Sequence, residues 1–443
     1  MRVIIKTLLL GVTLLSLSLQ ANAMGKFDSK KPNKKDREEE FIDWGLGMFV
    51  HWSFDSQLGS VISHSMRYAS PKYLDRYINE YPKTFNPTNY DPEKWMQIAK
   101  MAGVKYMVLT TKHHNGFCMW DTKTTDFDIM NTPYKKDIVR MFVDACRKYD
   151  IKVGFYFSPD DFYYMHKNGV VPRRGHGISG AYRDKEVKYN HKQLDELFNN
   201  YGKIDVVFFD SPAGRELGEY IHGIQPECIV TRGEMATPEQ KLPEEPIPAP
   251  WESCFTLGTQ WQYKPTNEEY KSGTQLINML AENKAKGGNL LINVGPDPTG
   301  VIPFEQERVF QELGLWMFVN DEAIYNTRAC PTAGSKDMWF TRSKDGKSVY
   351  VILSGHVGDN RLPHLKRKEV LVKELKATPS TKISVLGVSL ELENDDIPYE
   401  FVPTFTQKDE GLELSIVRGQ RLYNNRKWPN AVVVKLENVE FVK

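Results

Sequence analysis

Short hydrophobic runs alternate with amphipathic segments from about residue 40 to residue 328. The runs LGMFVHW, VKYMVLTTKHH, KVGFYFS, IDVVFFDS and NLLINVG are nearly continuous, as in strands buried on both faces, and CIVTR and SCFTL are shorter. The intervening segments carry helix signals, such as Asp91 as N-cap, Pro92 at the first helical position and Gly103 at the end of DPEKWMQIAKMAG. Strands separated by helices predict a parallel sheet that helices cover on both faces.

The number of these repeats indicates the fold class. No glycine-rich phosphate motif follows the first predicted strand, so the pattern favours a (β/α)8-like barrel over a doubly wound sheet. After AIYNTRACPTAG the texture changes to short alternating runs, including SVYVILSG, KISVLG, LELSIV and AVVVKL. These runs predict an antiparallel β-sandwich. We therefore expect a (β/α)8-like catalytic domain over residues 24–332 and a C-terminal β-sandwich domain over residues 333–443.

Residues 1–23 have the order of a secretory signal peptide. Arg2 and Lys6 precede an apolar run that ends in Ala21-Asn22-Ala23, a small-residue cleavage motif. The apolar run is too short for a membrane span, and no later stretch approaches about 20 apolar residues. The sequence therefore predicts an exported protein, periplasmic or extracellular, without an integral membrane segment after signal cleavage.

Composition excludes several function classes. Removing the predicted signal leaves 56 basic against 57 acidic residues, and this balance does not favour nucleic-acid binding. The five cysteines are odd in number and lack CxxC spacing, so they indicate buried free thiols rather than a disulfide framework or a zinc site. Aromatic residues reach 12%, which suits a carbohydrate site because sugar rings pack on aromatic faces, or simply a large aromatic core.

Active-site residues of such barrels cluster at the carboxyl ends of the strands. Polar residues at the predicted strand ends or close to them are His51, His113, His114, Ser158 to Asp161, Asp210, Arg232, Glu234, Glu252 and Asn293. Asp210 directly follows four apolar residues, where an unpaired charge would be costly, although it could also cap the next helix.

Glycoside cleavage would require a second carboxyl group beside Asp210, and Glu234, Glu239 and Glu252 are the downstream candidates. Spacing alone does not choose among them. The adjacent His113 and His114 lack metal-ligand spacing such as HExxH and can instead bind hydroxyl groups at the strand end. We expect no metal and no cofactor.

Several of these strings together resemble glycoside hydrolase family 29, the α-L-fucosidases. They are WGLGMFVHWSFDS, KHHNGFCMWDTKTTDFDI, IDVVFFDS, TRGEMATPEQKLP, PWESCFTLGTQWQY and KGGNLLINVGPDPTGVIP with NDEAIYNTR, and they occur in family order from about residue 41 to residue 330. The resemblance implies a metal-independent retaining exo-hydrolase that releases terminal L-fucose from a fucosylated oligosaccharide or glycoconjugate through a covalent glycosyl-enzyme intermediate.

The resemblance also assigns roles to residues. Asp210 occupies the nucleophile position and Glu239 is the best match to the acid/base, with Glu234 and Glu252 as fallbacks. The positions that match substrate-binding residues are His51, Trp52, His113, His114, Phe208, Arg232 and Trp251.

The sequence departs from the family pattern at a few positions. Met66 and Arg67 replace an acidic-aromatic pair that many members use to hold hydroxyl groups, Ser211 stands where glycine is usual, and Asn115 stands where aspartate is common. Three other functions therefore remain as alternatives: an exo-glycosidase for a related sugar such as L-galactose, a carbohydrate-binding protein on a decayed barrel, and a metal-dependent hydrolase that uses the histidine pair.

Overall fold

The computed structural model describes residues 32–59, 63–174, 181–211, 214–335, 337–354, 367–387, 402–416 and 430–442. The predicted signal peptide lies outside these residues. Within the described ranges, every helix falls short of the length or apolar character that crossing a bilayer requires.

Helices and strands alternate through the first three quarters of the chain, as the hydrophobic pattern predicts. They are α1 (Lys35–Trp44), β1 (Leu46–Val50), α2 (Pro71–Asn79), α3 (Pro92–Met101), β2 (Tyr106–Lys112), α4 (Ile138–Lys148), β3 (Lys152–Phe157), α5 (Phe162–Lys167), α6 (Ala181–Asn200), β4 (Val206–Phe209), α7 (Gly214–His222), β5 (Ile229–Val230), β6 (Glu252–Thr256), α8 (Gly273–Ala285), β7 (Asn289–Val294) and α9 (Phe304–Asn320). Short 3₁₀ helices cover Phe54–Leu58, His64–Met66, Tyr81–Thr84, Ile129–Asn131 and Asp321–Ala323.

The first seven strands form one parallel sheet in the order β5-β4-β3-β2-β1-β7-β6. The segment 236–240 then runs beside β6, because Glu252 N donates to Ala236 O at 3.2 Å and Cys254 N donates to Pro238 O at 3.0 Å. This pairing spans the interval between β5 and β6 and curls the sheet. The prediction of a (β/α)8-like barrel is confirmed in this form.

The C-terminal region consists of two antiparallel sheets, as predicted. One has the strand order β12-β15-β10-β9-β8 and the other β11-β14-β13. Their bounds are β8 (Thr327–Ser335), β9 (Met338–Ser343), β10 (Ser348–Leu353), β11 (Lys368–Val372), β12 (Leu375–Val385), β13 (Thr404–Lys408), β14 (Gly411–Ile416) and β15 (Val432–Phe441). A shared core that includes Phe340, Leu412 and Leu436 lies between them. β8 spans the predicted boundary at residue 332, and the boundary itself stays a prediction.

Strand alternation divides the hydrophobic residues of the barrel between its interior and its helix layer. On β3, Tyr156 belongs to the interior cluster, whereas its neighbours Phe155 and Phe157 belong to the cluster under the helices. Phe208 and Phe209 divide in the same way on β4. The interior of the barrel is therefore a packed column rich in aromatic side chains.

Glu252 lies at the amino end of this column. It is fully buried, and Tyr106 OH donates a hydrogen bond of 2.7 Å to its Oε2. Burial raises the pKa of Glu252 to about 7, although the hydrogen bond from Tyr106 opposes that shift. A carboxyl group that is protonated in the folded protein and ionised in the unfolded chain makes stability depend on pH.

The Glu252→Gln substitution tests this buried acid. The pKa of Glu252 is about 7 in the folded protein, against an ordinary value of 4.5. Native stability should therefore fall as pH rises between these two values. The variant lacks this loss, so its free energy of unfolding relative to the wild type should rise by about 3 kcal/mol between pH 4.5 and pH 8. Urea unfolding at the two pH values measures the difference, and a constant difference would contradict a buried titrating carboxyl group.

Candidate active site

A cavity opens at the carboxyl ends of the barrel strands. Most of its walls come from strand ends and the loops that follow them, where parallel strands deliver their polar residues. The lining residues are Phe49, His51, His64, His113, Tyr156, Arg174, Phe208, Asp210, Arg232, Glu239, Cys254 and Trp261.

Asp210 directly follows β4 and accepts hydrogen bonds on both carboxylate oxygens. Arg232 Nη1 donates to Oδ1 at 3.0 Å, and Tyr156 OH donates to Oδ2 at 2.8 Å. Arg174 Nη2 lies 3.1 Å and His114 Nε2 lies 3.2 Å from the same Oδ2. Only 15% of the Asp210 side chain is exposed, so these donors replace the water that burial removes.

The donors decide the charge of Asp210. Burial alone would raise its pKa, but the hydrogen bond from His114 and the charges of Arg232 and Arg174 outweigh burial and hold the pKa well below its usual value. Asp210 is therefore ionised at neutral pH.

Arg232 joins the two candidate carboxylates. While its Nη1 bonds Asp210, its Nη2 donates to Glu239 Oε2 at 2.9 Å. Arg232 Nε donates to Thr237 Oγ1 at 3.1 Å, and the guanidinium lies 4.5 Å from the ring centroid of Phe208. A planar guanidinium held on three sides fixes both carboxylates at the rim of one cavity.

The surroundings of His51 assign its tautomer. Asn293 Nδ2 donates to Trp261 O at 2.6 Å, so Asn293 Oδ1 must be the atom that lies 2.5 Å from His51 Nδ1. Nδ1 then carries the proton and Nε2 is an acceptor. Burial lowers the pKa of His51 to about 3, only partly opposed by the Asn293 hydrogen bond, so the ring is neutral.

His113 and His114 are held by two serines. His113 Nδ1 lies 2.8 Å from Ser63 Oγ, which also accepts from Asn115 N, and its ring stacks on Tyr156 within 2° of parallel. Burial lowers the pKa of His113 well below its ordinary value. The adjacent residues thus diverge in role, because His113 lines the cavity while His114 holds Asp210.

His114 Nδ1 bonds Ser158 Oγ, whose hydroxyl donates to Asp160 O at 2.8 Å. Ser158 therefore accepts from His114, so Nδ1 carries a proton. The other ring nitrogen, Nε2, lies 3.2 Å from Asp210 Oδ2.

Six residues that line the cavity were not among the predicted site residues: Phe49, His64, Tyr156, Arg174, Cys254 and Trp261. Tyr156 had a usable signal, since it lies on β3 two positions before Ser158, the residue that directly follows the strand, and alternation turns Tyr156 toward the interior. His64 begins the short 3₁₀ helix His64–Met66, while Arg174 and Trp261 lie on irregular loops. The hydrophobic pattern does not specify the path of these segments. Trp261 belongs to the string PWESCFTLGTQWQY and lies 4.9 Å from His51, ring centroid to ring centroid.

Two predicted substrate contacts lie outside the cavity. Trp52 packs among Phe85, Tyr90 and Trp95, and its indole N–H donates to Asp297 O at 2.9 Å. Trp251 directly precedes β6, at the amino end of the barrel, where its indole N–H donates to Lys286 O at 3.3 Å. Each tryptophan is adjacent in sequence to a polar residue, and strand alternation turns one of the pair away from the interior.

The two fallback carboxylates also lie away from the cavity. Glu234 Oε2 accepts from Asn33 N at 2.8 Å, and its Oε1 lies 3.6 Å from His222 Nδ1. Glu252 is at the amino end of the column described above. The structure therefore leaves Glu239, of the three candidates, beside Asp210.

Met66, Arg67 and Asn115, which depart from the family pattern, do not line the cavity. Met66 is fully buried in the core and Arg67 is exposed. Asn115 donates from Nδ2 to Asp55 Oδ2 at 3.1 Å and accepts from Phe117 N at 2.9 Å. Of the segment that contains Met66 and Arg67, His64 is the residue that lines the cavity.

His113, His114 and Asp210 are close enough to share a metal ion, because one potential ligand atom of each lies within 4.8 Å of the others. The donor set fits a cation poorly. A guanidinium group lies beside each oxygen of Asp210, so an ion on that carboxylate would lie beside two positive charges.

Comparisons with known proteins agree on one family. A family model described as alpha-L-fucosidase matches residues 14–322. The human plasma alpha-L-fucosidase is 27% identical over 352 residues, which cover 69% of this chain and 74% of that protein. The human tissue alpha-L-fucosidase is 26% identical over 415 residues, which cover 85% of this chain and 84% of that protein.

Solved structures show the same fold. Alpha-L-fucosidase isoenzyme 1 from Paenibacillus thiaminolyticus aligns with a TM-score of 0.71 and 27% identity, over 92% of this chain and 99% of that chain. An alpha-L-fucosidase from Bacteroides thetaiotaomicron, solved as a trapped covalent intermediate with 2-fluoro-fucosyl fluoride, aligns with a TM-score of 0.68 and 22% identity, over 94% of this chain and 100% of that chain.

The charge argument against a metal at His113, His114 and Asp210 gives a direct test. In isothermal titration with Zn²⁺ at pH 7.5, we expect the wild type and His114→Ala to give the same weak isotherm. Zinc binding tighter than about 1 μM in the wild type that disappears in His114→Ala would show that the two guanidinium groups do not prevent coordination.

Proposed function

This chain belongs to the alpha-L-fucosidase family, and on that premise we propose that it is a retaining exo-α-L-fucosidase in which Asp210 is the nucleophile and Glu239 the acid/base. The observation that carries the assignment is the single guanidinium of Arg232, which bonds both carboxylates at the mouth of one cavity. Two carboxyl groups on either side of the scissile bond are what glycoside hydrolysis requires.

The nucleophile must be an anion when the sugar binds. Its depressed pKa keeps Asp210 ionised, and Tyr156, His114 and Arg232 orient the carboxylate toward the cavity. Attack on the anomeric carbon forms a carbon–oxygen bond to Asp210 and breaks the bond to the leaving oxygen. That oxygen takes a proton from Glu239.

Arg232 links the charge of one carboxylate to the protonation of the other. While Asp210 is an anion, the guanidinium shares its charge between two partners. When Asp210 becomes an ester, Glu239 is the carboxylate partner that remains to Arg232 among the described residues. Glu239 then removes the proton from the water that cleaves the ester, which completes a cycle with retention of configuration.

The cavity walls fit fucose better than L-galactose. The neutral His51 presents an unprotonated Nε2 as a hydroxyl acceptor, and we assign the C6 methyl of fucose to the aromatic wall of Phe208 and Trp261. L-Galactose would place a hydroxyl group against that wall, where burial without a partner is costly. The two retained carboxylates also argue against a decayed binding protein.

The substrate implied by this function is a glycan with a terminal α-L-fucosyl unit.

We also propose that the protein is exported to the periplasm or the extracellular space. The charge, apolar core and small-residue order of residues 1–23 supports that location.

Replacing the nucleophile gives the first test of this function. With 4-nitrophenyl α-L-fucoside, Asp210→Ala should lose at least about 1,000-fold in kcat/KM. Azide should restore part of the activity and yield β-L-fucosyl azide, because azide then attacks the substrate directly with inversion. Circular dichroism confirms that the variant is folded. Full activity, or an α-azide product, would exclude Asp210 as the nucleophile.

Replacing the acid/base gives the opposite stereochemistry. In Glu239→Ala the fucosyl ester still forms from an aryl fucoside with a good leaving group, and azide should accelerate its breakdown to α-L-fucosyl azide. The exposed Glu244 in the same loop provides a matched control, and Glu244→Ala should behave as the wild type. Rescue by azide in Glu234→Ala rather than in Glu239→Ala would transfer the role.

A further inference from the structure

Asp210 Oδ2 has three donor groups within 3.2 Å, which crowd a nucleophilic oxygen. Tyr156 OH at 2.8 Å, Arg174 Nη2 at 3.1 Å and His114 Nε2 at 3.2 Å all lie on it, while Arg232 occupies Oδ1. A carboxylate oxygen offers about two lone-pair directions. One donor must therefore leave before this oxygen can approach a sugar carbon.

Arg174 is the donor that is free to move. Its side chain is 40% exposed, whereas Tyr156 and His114 are buried. Tyr156 is fixed within β3, and His114 is held from its other nitrogen by Ser158. Arg174 lies on an irregular segment after α5 and lines the cavity.

A displaced Arg174 loses its counter-charge. Among the described residues its ion pair is with Asp210, and that carboxylate becomes a neutral ester during the reaction. The guanidinium then faces the cavity with a charge that only the substrate or solvent can compensate. A glycan with an anion at this point would provide the new partner.

A second arginine lies on the adjoining loop. Tyr68 N donates to Pro172 O at 3.3 Å, which joins the segment of Arg67 to the segment of Arg174. The Arg67 guanidinium lies 5.9 Å from the ring centroid of Tyr68 and, within the described part of the chain, forms no salt bridge. Burial is the main cause that lowers the pKa of His64 to about 4, and the charges of His114, Arg174 and Arg67 lower it further. Both arginine charges therefore act on the cavity wall.

We propose that Arg174 and Arg67 form an anion subsite, so that the enzyme prefers fucosides whose neighbouring glycan unit carries a sulfate ester or a carboxylate. This inference rests on the proposed fucosidase activity. Guanidinium groups bind both anions through paired hydrogen bonds. The anion would draw Arg174 away from Asp210 Oδ2 as it binds, which couples substrate recognition to release of the nucleophile.

The test compares three fucosyl disaccharides that differ only in the unit next to fucose: neutral, sulfated, or carrying a uronic acid carboxylate. We expect kcat/KM to be at least about 10-fold higher for one or both anionic disaccharides at low salt, and the advantage to shrink at 0.5 M NaCl because exposed charges are screened. The difference between the sulfated and the uronic substrates identifies which anion is bound.

Arg67→Gln and Arg174→Gln should each reduce the ratio of anionic to neutral kcat/KM toward 1. Arg76→Gln is the matched control, because Arg76 is an exposed arginine of α2 that pairs with Glu80, and it should leave the ratio unchanged.

A wild-type ratio at or below 1, or a ratio that survives in both test variants, overturns the anion subsite while hydrolysis of 4-nitrophenyl α-L-fucoside still supports the proposed function. Failure to cleave any fucoside overturns both the anion subsite and the proposed fucosidase function.

Discussion

The buried negative charge of Asp210 is the constraint on which the rest of the site depends. A carboxylate with so little exposure is tolerated only when fixed donors replace its water. Here the donors come from four separate segments, through Tyr156 on β3, His114 after β2, Arg232 after β5 and Arg174 after α5. The barrel brings these segments together because parallel strands deliver their carboxyl ends to one rim.

Further hydrogen bonds fix the histidine side chains around Asp210. Ser158 fixes His114, Ser63 fixes His113, and Asn293 fixes both the orientation and the tautomer of His51. Preorganised polar groups of this kind need little rearrangement when charge develops during a reaction. Arg232 adds a second function, since it bonds Glu239 as well and so transmits the charge state of one carboxylate to the other.

The sequence was most informative where a residue sits on a regular strand. Asp210, His113, His114 and Arg232 follow apolar runs, so the barrel prediction placed them at one rim, and the structure brings them there. The predicted and observed positions differ where the face of a strand or the path of a loop determines the position. Trp52 and Trp251 turn outward from the column, Glu252 lies at its amino end, and Glu234 is held by Asn33.

The residues that sequence reasoning missed have the same explanation. Arg174 and Trp261 reach the cavity from irregular loops and His64 from a short 3₁₀ helix, and no hydrophobic period specifies where such segments return to the barrel. The Met66-Arg67 departure illustrates the limit. Met66 is a core residue and Arg67 is exposed, whereas the neighbouring His64 lines the cavity.

Trapping the covalent intermediate tests the central claim most directly. The protein is incubated with 2-fluoro-fucosyl fluoride, digested, and analysed by tandem mass spectrometry. A fluorofucosyl group on Asp210, absent from protein pre-treated with excess of a competitive fucose-like inhibitor, is the predicted result. A label on Glu239 or on any other residue, or turnover of the reagent without a labelled peptide, would contradict the account of Asp210 as the nucleophile.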